Sequence, residues 1–83
     1  MNAIKEIHIR YYALLREQRG CSHETIQTDA QTPLELYTYL RQQHRFTLDT
    51  NLLRVSLNNS FESWDSPLHD KDTVVFIPPV AGG

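Results

Sequence analysis

Apolar and polar positions alternate at the start of the chain. Ile7, Ile9 and Tyr11 fall on one side of residues 4–11, and Glu6, His8 and Arg10 on the other. A period of two marks a strand with one buried face. Residues 13–19 (Ala-Leu-Leu-Arg-Glu-Gln-Arg) are good helix formers, and Gly20 after them suits a C-terminal cap. Residues 22–28 hold β-formers, with Ile26 facing inward, and read as a second strand. The clearest start signal is Thr32-Pro33-Leu34-Glu35. Its threonine hydroxyl can accept the Glu35 amide, the glutamate can reach back to the Thr32 amide, and proline fits the first helical position. Leu36, Leu40 and Gln43 then share a helical face, with Leu34 and Tyr37 beside it, ending near His44 or Arg45. Residues 46–52 read as a connection.

Alternation resumes over residues 53–58, with Val55 and Leu57 on one side. Asn58-Asn59 suits a tight turn, because asparagine tolerates positive φ. Residues 61–64 make the return strand, and residues 66–72 a turn-rich loop. Thr73-Val74-Val75-Phe76-Ile77 is the most strand-like run, and Pro78-Pro79 ends it by withholding amide donors. The order of elements predicts an α+β domain with one sheet, one face of which lies under helix. The run 73–77 does not alternate. Either it is central and covered on both faces, or its second face awaits a partner.

Composition narrows the function. Eighty-three residues make one domain, spanning 1–83, and 40% apolar with 22% charged residues excludes a disordered chain. No apolar stretch approaches the roughly 20 residues that a bilayer requires. Net charge is −2, and the eight Lys and Arg residues are scattered among acids, which disfavours nucleic-acid binding. The N-terminus has no long apolar segment of the secretory kind, and a single cysteine, Cys21, suits a reducing cytoplasm. His8, His23, His44 and His69 lack the close spacing of a zinc site, so no metal is expected. Cys21 has no evident activating group. Glu62, Asp65, Asp70 and Asp72 read as a solvated rim or a docking point for a basic partner. Trp64 fits either a partial core position or an exposed contact.

The chemical feature is the end of the chain. From Thr73 to Gly83 no side chain ionises. Pro78-Pro79 favours an extended path rising about 3.1 Å per residue, which carries Val80, Ala81, Gly82 and Gly83 away from the sheet as a projecting tail. The last two positions have no Cβ, so the tail can thread a narrow channel. The Gly83 carboxylate is then a candidate reactive group. Attack on the α-phosphate of ATP gives an acyl-adenylate, and a sulfur donor displacing AMP leaves a thiocarboxylate. Small residues after two prolines have nothing local to pack on, which predicts disorder beyond about Pro79 in the free chain.

These residues carry a resemblance. Val75-Phe76-Ile77-Pro78-Pro79-Val80-Ala81-Gly82-Gly83 resembles the C-terminal signature of the small subunits of molybdopterin synthase, which are ubiquitin-like sulfur carriers. Tyr11-Tyr12-Ala13-Leu14-Leu15-Arg16-Glu17, Thr32-Pro33-Leu34-Glu35-Leu36, Val55-Ser56-Leu57-Asn58, and Leu68 followed by Asp72 are similar to family segments in the same order. Lys71 departs from the pattern, standing where the family usually has glycine. If that position needs positive φ, lysine is strained there. The resemblance implies a β-grasp fold, with a mixed sheet of about five strands and one main helix on one face. It implies three partners: an adenylating enzyme of the ubiquitin-activating type, a sulfur-relay protein, and the large synthase subunit, in a heterotetramer. Cofactors are implied only transiently, as ATP consumed in forming the Gly83 acyl-adenylate. Sulfur would pass from the Gly83 thiocarboxylate to cyclic pyranopterin monophosphate, with the acid–base residues on the large subunit. Tyr12 and Phe61 match positions where the family presents apolar surface. With Val75 and Ile77 they would form a partner patch, while Pro78, Pro79, Val80, Ala81 and Gly82 insert as the tail. A sulfur carrier for thiamine or another pathway, and a docking module whose tail has no chemistry, remain as alternatives.

Overall fold

The structure is a computed structural model and describes residues 3–79. The expected order of elements is present. Strand β1 (Lys5–Tyr11) runs into helix α1 (Ala13–Arg19), and β2 (His23–Thr28) precedes α2 (Pro33–His44). A single 3-10 turn (Thr50–Leu52) leads to β3 (Arg54–Leu57), β4 (Ser60–Glu62) and β5 (Thr73–Ile77). The five strands form one sheet in the order β2-β1-β5-β3-β4. Strands β1 and β5 pair in parallel, and the other neighbours are antiparallel. This mixed sheet, with α2 on one face, is a β-grasp fold.

Local chemistry explains the turns. Gly20 closes α1 in the left-handed region at φ 87°, and its N–H donates to the Arg16 carbonyl. A Cβ is disfavoured at that angle. The Thr32 hydroxyl accepts the Glu35 N–H at 3.2 Å as expected. The Glu35 carboxylate reaches one residue further back than expected and accepts the Gln31 N–H at 3.0 Å. Asn58 and Asn59 both have positive φ (52° and 72°), as a two-residue hairpin between β3 and β4 requires. Strand β4 stops at Glu62, not at Trp64.

The core lies between the sheet and α2. Ile7, Ile9, Tyr11, Val55, Val74 and Phe76 descend from the strands to meet Leu36, Tyr37 and Leu40 of α2. Leu34 and Gln43, placed with that helical face by spacing, are solvent-exposed. Aromatic rings run through this layer without a break. Trp64 stacks on Phe76 (5.9 Å, 11°), Phe76 meets Tyr37, Tyr37 stacks on Phe46, and Phe46 meets Tyr11 edge-on. Phe46, assigned from sequence to a connection, is thus a buried core residue. Trp64 is half-buried and packs against the core.

Candidate docking face and tail exit

Among the described residues no helix lies over the second face of the sheet. Registration fixes which side chains share it. Val74 and Phe76 are buried toward α2, so Thr73, Val75 and Ile77 point to the opposite side and remain half-buried. Directly opposed residues share a face. Arg10 of β1 lies beside Val75, Val75 beside Ser56 of β3, and Ser56 beside Phe61 of β4. Two residues further on, Ile77 lies beside Arg54. Of the two expected causes for the lack of alternation in β5, coverage on both faces does not hold: the strand is central, but Val75 and Ile77 are only half-buried on its second face.

Tyr12 completes the patch from the bend after β1. Its backbone is extended, and the next residue, Ala13, takes a left-handed φ of 51°. That turn starts α1 while leaving Tyr12 47% exposed; Phe61 is 59% exposed. Tyr12, Ser56, Asn59, Phe61, Val75 and Ile77 line one shallow concavity of about 260 Å³. The structure thus brings together all four residues that sequence reasoning assigned to a partner patch. The Arg54 guanidinium lies 4.1 Å above the Phe61 ring, a cation–π contact. A wider recess of about 570 Å³ adjoins this patch on the β1–β2 side, with Arg10, His8, His23 and Thr25 among its walls.

Strand β5 delivers the chain to this site. Pro78 is half-buried and Pro79 exposed at its end. Val80, Ala81, Gly82 and Gly83, and the expectation of a disordered tail, lie outside the described residues.

Several residues that fix the face were missed by local patterns. Glu62, Asp65 and Asp70 are exposed, as a solvated rim requires, and Asp72 is half-buried; Asp70 and Asp72 also make specific bonds. The Asp72 carboxylate accepts from the Asn58 side-chain amide and from the His69 N–H, both at 2.8 Å. Asp70 accepts the Glu6 N–H at 2.7 Å. The Asn58 side-chain oxygen in turn accepts the Thr73 N–H at 2.9 Å. This clasp ties the hairpin that carries Phe61 to the first residue of β5. Lys71 sits at φ 73°, the conformation that favours glycine. Its N–H bonds the Glu6 carbonyl at 2.8 Å, and its ammonium meets the Glu6 carboxylate at 2.9 Å, which raises the lysine pKa.

A second polar cluster lies at the other side of β1. Arg19 makes a two-pronged contact with Glu24 at 2.8 and 2.9 Å, and the Tyr11 hydroxyl donates to the same carboxylate. The arginine bonds hold Glu24 below the usual carboxylate range. Burial, then the bond to Glu24, pushes the Tyr11 phenol up, so it stays a neutral donor. This cluster anchors α1 and β2 and does not open on the apolar patch. Cys21 is half-buried and packs against the core. Among the described residues no group of three His, Cys, Asp or Glu side chains gathers as a metal site, and no helix is long and apolar enough to cross a membrane.

Comparison with known proteins places this geometry. The molybdopterin synthase sulfur carrier subunit of Escherichia coli is 31% identical over 80 residues, covering 93% of this chain and 99% of that protein. The solution structure of small archaeal modifier protein 1 from Methanosarcina acetivorans superposes with a TM-score of 0.78 at 17% identity, covering 99% of this chain and 100% of the other. Subunits 1 and 2 of the molybdopterin-converting factor of Helicobacter pylori have been solved as a complex, and a chain of it superposes with a TM-score of 0.64 at 23% identity, covering 94% and 99%. The two structural matches bear on fold alone. The ThiS family matches residues 9–83, and the chain belongs to that family.

Proposed function

We propose that the chain is the sulfur carrier subunit of a molybdopterin synthase. The observation that carries this reading is the construction of β5. One strand is central to the core, presents Val75 and Ile77 on the open face, and leads directly into Pro78-Pro79 and the small residues that follow. A docking face and a slender tail on the same strand hold a reactive end in fixed relation to a bound partner. The relative in Escherichia coli carries the same named role.

The chemistry belongs to the terminal Gly83. Its carboxylate oxygen attacks the α-phosphorus of ATP in an adenylating enzyme, and pyrophosphate leaves. Sulfide delivered by a relay protein attacks the acyl carbon, AMP leaves, a proton is lost, and the thiocarboxylate remains. The face formed by Tyr12, Phe61, Val75 and Ile77 then seats on the large subunit. Residues 78–83 enter its active site and give sulfur to cyclic pyranopterin monophosphate. The subunit complex from Helicobacter pylori supports a partner of this type. The carrier itself supplies position and an acyl group, not acid–base catalysis.

Intact mass spectrometry tests this after incubation with ATP, an adenylating enzyme and a sulfide source. The expected result is exchange of one oxygen for sulfur, confined to the C-terminal peptide. An unchanged mass under conditions that load an authentic carrier sinks the proposal. A carrier serving a thiazole-forming enzyme would load in the same way, and would separate by failing to support molybdopterin formation with a large subunit.

A further inference from the structure

We infer that the partner seated on the open face has an apolar centre bordered by carboxylates, which pair with Arg10 and Arg54. This rests on the proposed carrier role and adds the chemistry of the partner surface. The two arginines bracket the patch. Arg10 lies beside Val75 on the β1 side, and Arg54 lies beside Ile77 on the β3 side. Both are exposed.

Among the described residues four arginines, Arg10, Arg16, Arg45 and Arg54, have no carboxylate partner, and of these only Arg10 and Arg54 lie beside Val75 and Ile77 of the open face. Arg19 is engaged by Glu24, Arg41 by Asp49, and Lys71 by Glu6. Among the described residues neither Arg10 nor Arg54 has a carboxylate within ion-pair distance. The one acid of the open face next to them on β1, Glu6, is held by Lys71 at 2.9 Å and by His8 at 3.5 Å. The Asp70 carboxylate accepts the Glu6 N–H, and that of Asp72 accepts from the Asn58 side chain and the His69 N–H. A chain of net charge −2 therefore shows two guanidinium groups without a carboxylate partner beside the apolar residues Val75 and Ile77 of the open face. Arg54 is also held by the Phe61 ring, so its donor fork is ordered before a partner arrives. Carboxylates are the groups that such a fork binds with two parallel hydrogen bonds. Opposed charges around an apolar centre fix orientation and speed encounter more than they add affinity.

The test uses the full chain and the purified large subunit of molybdopterin synthase from the same organism. Dissociation constants and association rates are measured between low and high sodium chloride. Arg10→Glu and Arg54→Glu are each expected to weaken binding by about tenfold, chiefly by slowing association, and to flatten its salt dependence. Arg54→Lys keeps the charge and loses the fork, and is expected to fall between wild type and Arg54→Glu. Thermal melts of every variant should match wild type, because both side chains are exposed. Binding that is insensitive to salt and to both reversals overturns this inference and leaves the carrier role standing. A chain that neither binds the large subunit nor acquires sulfur at Gly83 overturns both.

Discussion

The two faces of the sheet are built from the same strands and do opposite things. Toward α2, Ile9, Val74, Phe76 and Val55 are sealed in a core ordered by the aromatic run from Trp64 to Tyr11. Away from it, Arg10, Val75, Ser56 and Phe61 form a row that no element of the described residues covers. Alternate residues of β5 thus enter the core or face outward, and the proposed function gives the outward set to docking. Strand periodicity makes this separation possible, since a change at one position need not disturb its neighbour's face. The partition also explains why the chain tolerates an exposed apolar surface that a freestanding monomer would avoid.

The largest effect tests whether the tail is separate from both faces. Deleting Gly83 is expected to reduce sulfur transfer to background in a coupled assay with the adenylating enzyme, sulfide and large subunit. The melting temperature and the affinity for the large subunit should stay close to wild type. Transfer that survives the deletion would leave the open face as a simple docking surface.

Next comes a direct contrast across β4 and β5. Phe76 is fully buried between Trp64 and Tyr37. Phe76→Ala removes that ring and is expected to cost about 3–5 kcal/mol, a large share of the roughly 5–15 kcal/mol that holds a domain folded. Phe61→Ala, on the open face, should lower the melting temperature by less than about 5 °C and weaken partner binding by at least about tenfold. Chemical denaturation and calorimetric titration measure the two. Equal stability losses would show that the open face is structural.

A smaller effect concerns the anchor of α1. Glu24 is held below its ordinary value, 4.5, by its bonds from Arg19. A depressed acid contributes stability that is present above the unfolded value and is lost as pH falls through the folded one. Glu24→Gln is therefore expected to cost about 1–2 kcal/mol near neutrality, with the gap to wild type closing as pH drops below 4.5. Denaturant midpoints across that range give the answer, and a gap that stays constant with pH would remove the charge from the account. The apolar patch should bind its partner normally in this variant.

What could be read in advance divides along similar lines. Elements set by neighbours in sequence were legible: the Thr32 cap, the Gly20 stop, the Asn58-Asn59 turn and the β5 run. So was the patch of Tyr12, Phe61, Val75 and Ile77, because alternation and family likeness both pointed to it. The hidden parts depend on residues distant in the chain. Asp70 meets the backbone of Glu6 across 64 positions, and Asp72 meets Asn58 across 14. No local spacing distinguishes such a carboxylate from a solvated one. Phe46 and Trp64 stand in irregular segments, where periodicity has nothing to say about burial. Arg10 and Arg54 looked like scattered charge until registration set them on either side of Val75 and Ile77.

The smallest expected effect concerns Lys71, whose backbone strain is independent of either face. At φ 73° a Cβ crowds the neighbouring carbonyl, whereas glycine has no such contact. Lys71→Gly keeps the N–H that bonds the Glu6 carbonyl, relieves the strain and gives up an exposed ion pair of little worth. Part of the gain is offset by the greater freedom of glycine in the unfolded chain. The net expectation is a melting temperature raised by roughly 2–5 °C. Lys71→Ala separates the two contributions, since it loses the ion pair and keeps the Cβ. It should melt at or slightly below wild type. If alanine stabilises as much as glycine, the benefit comes from removing the ammonium from Glu6 and not from the backbone.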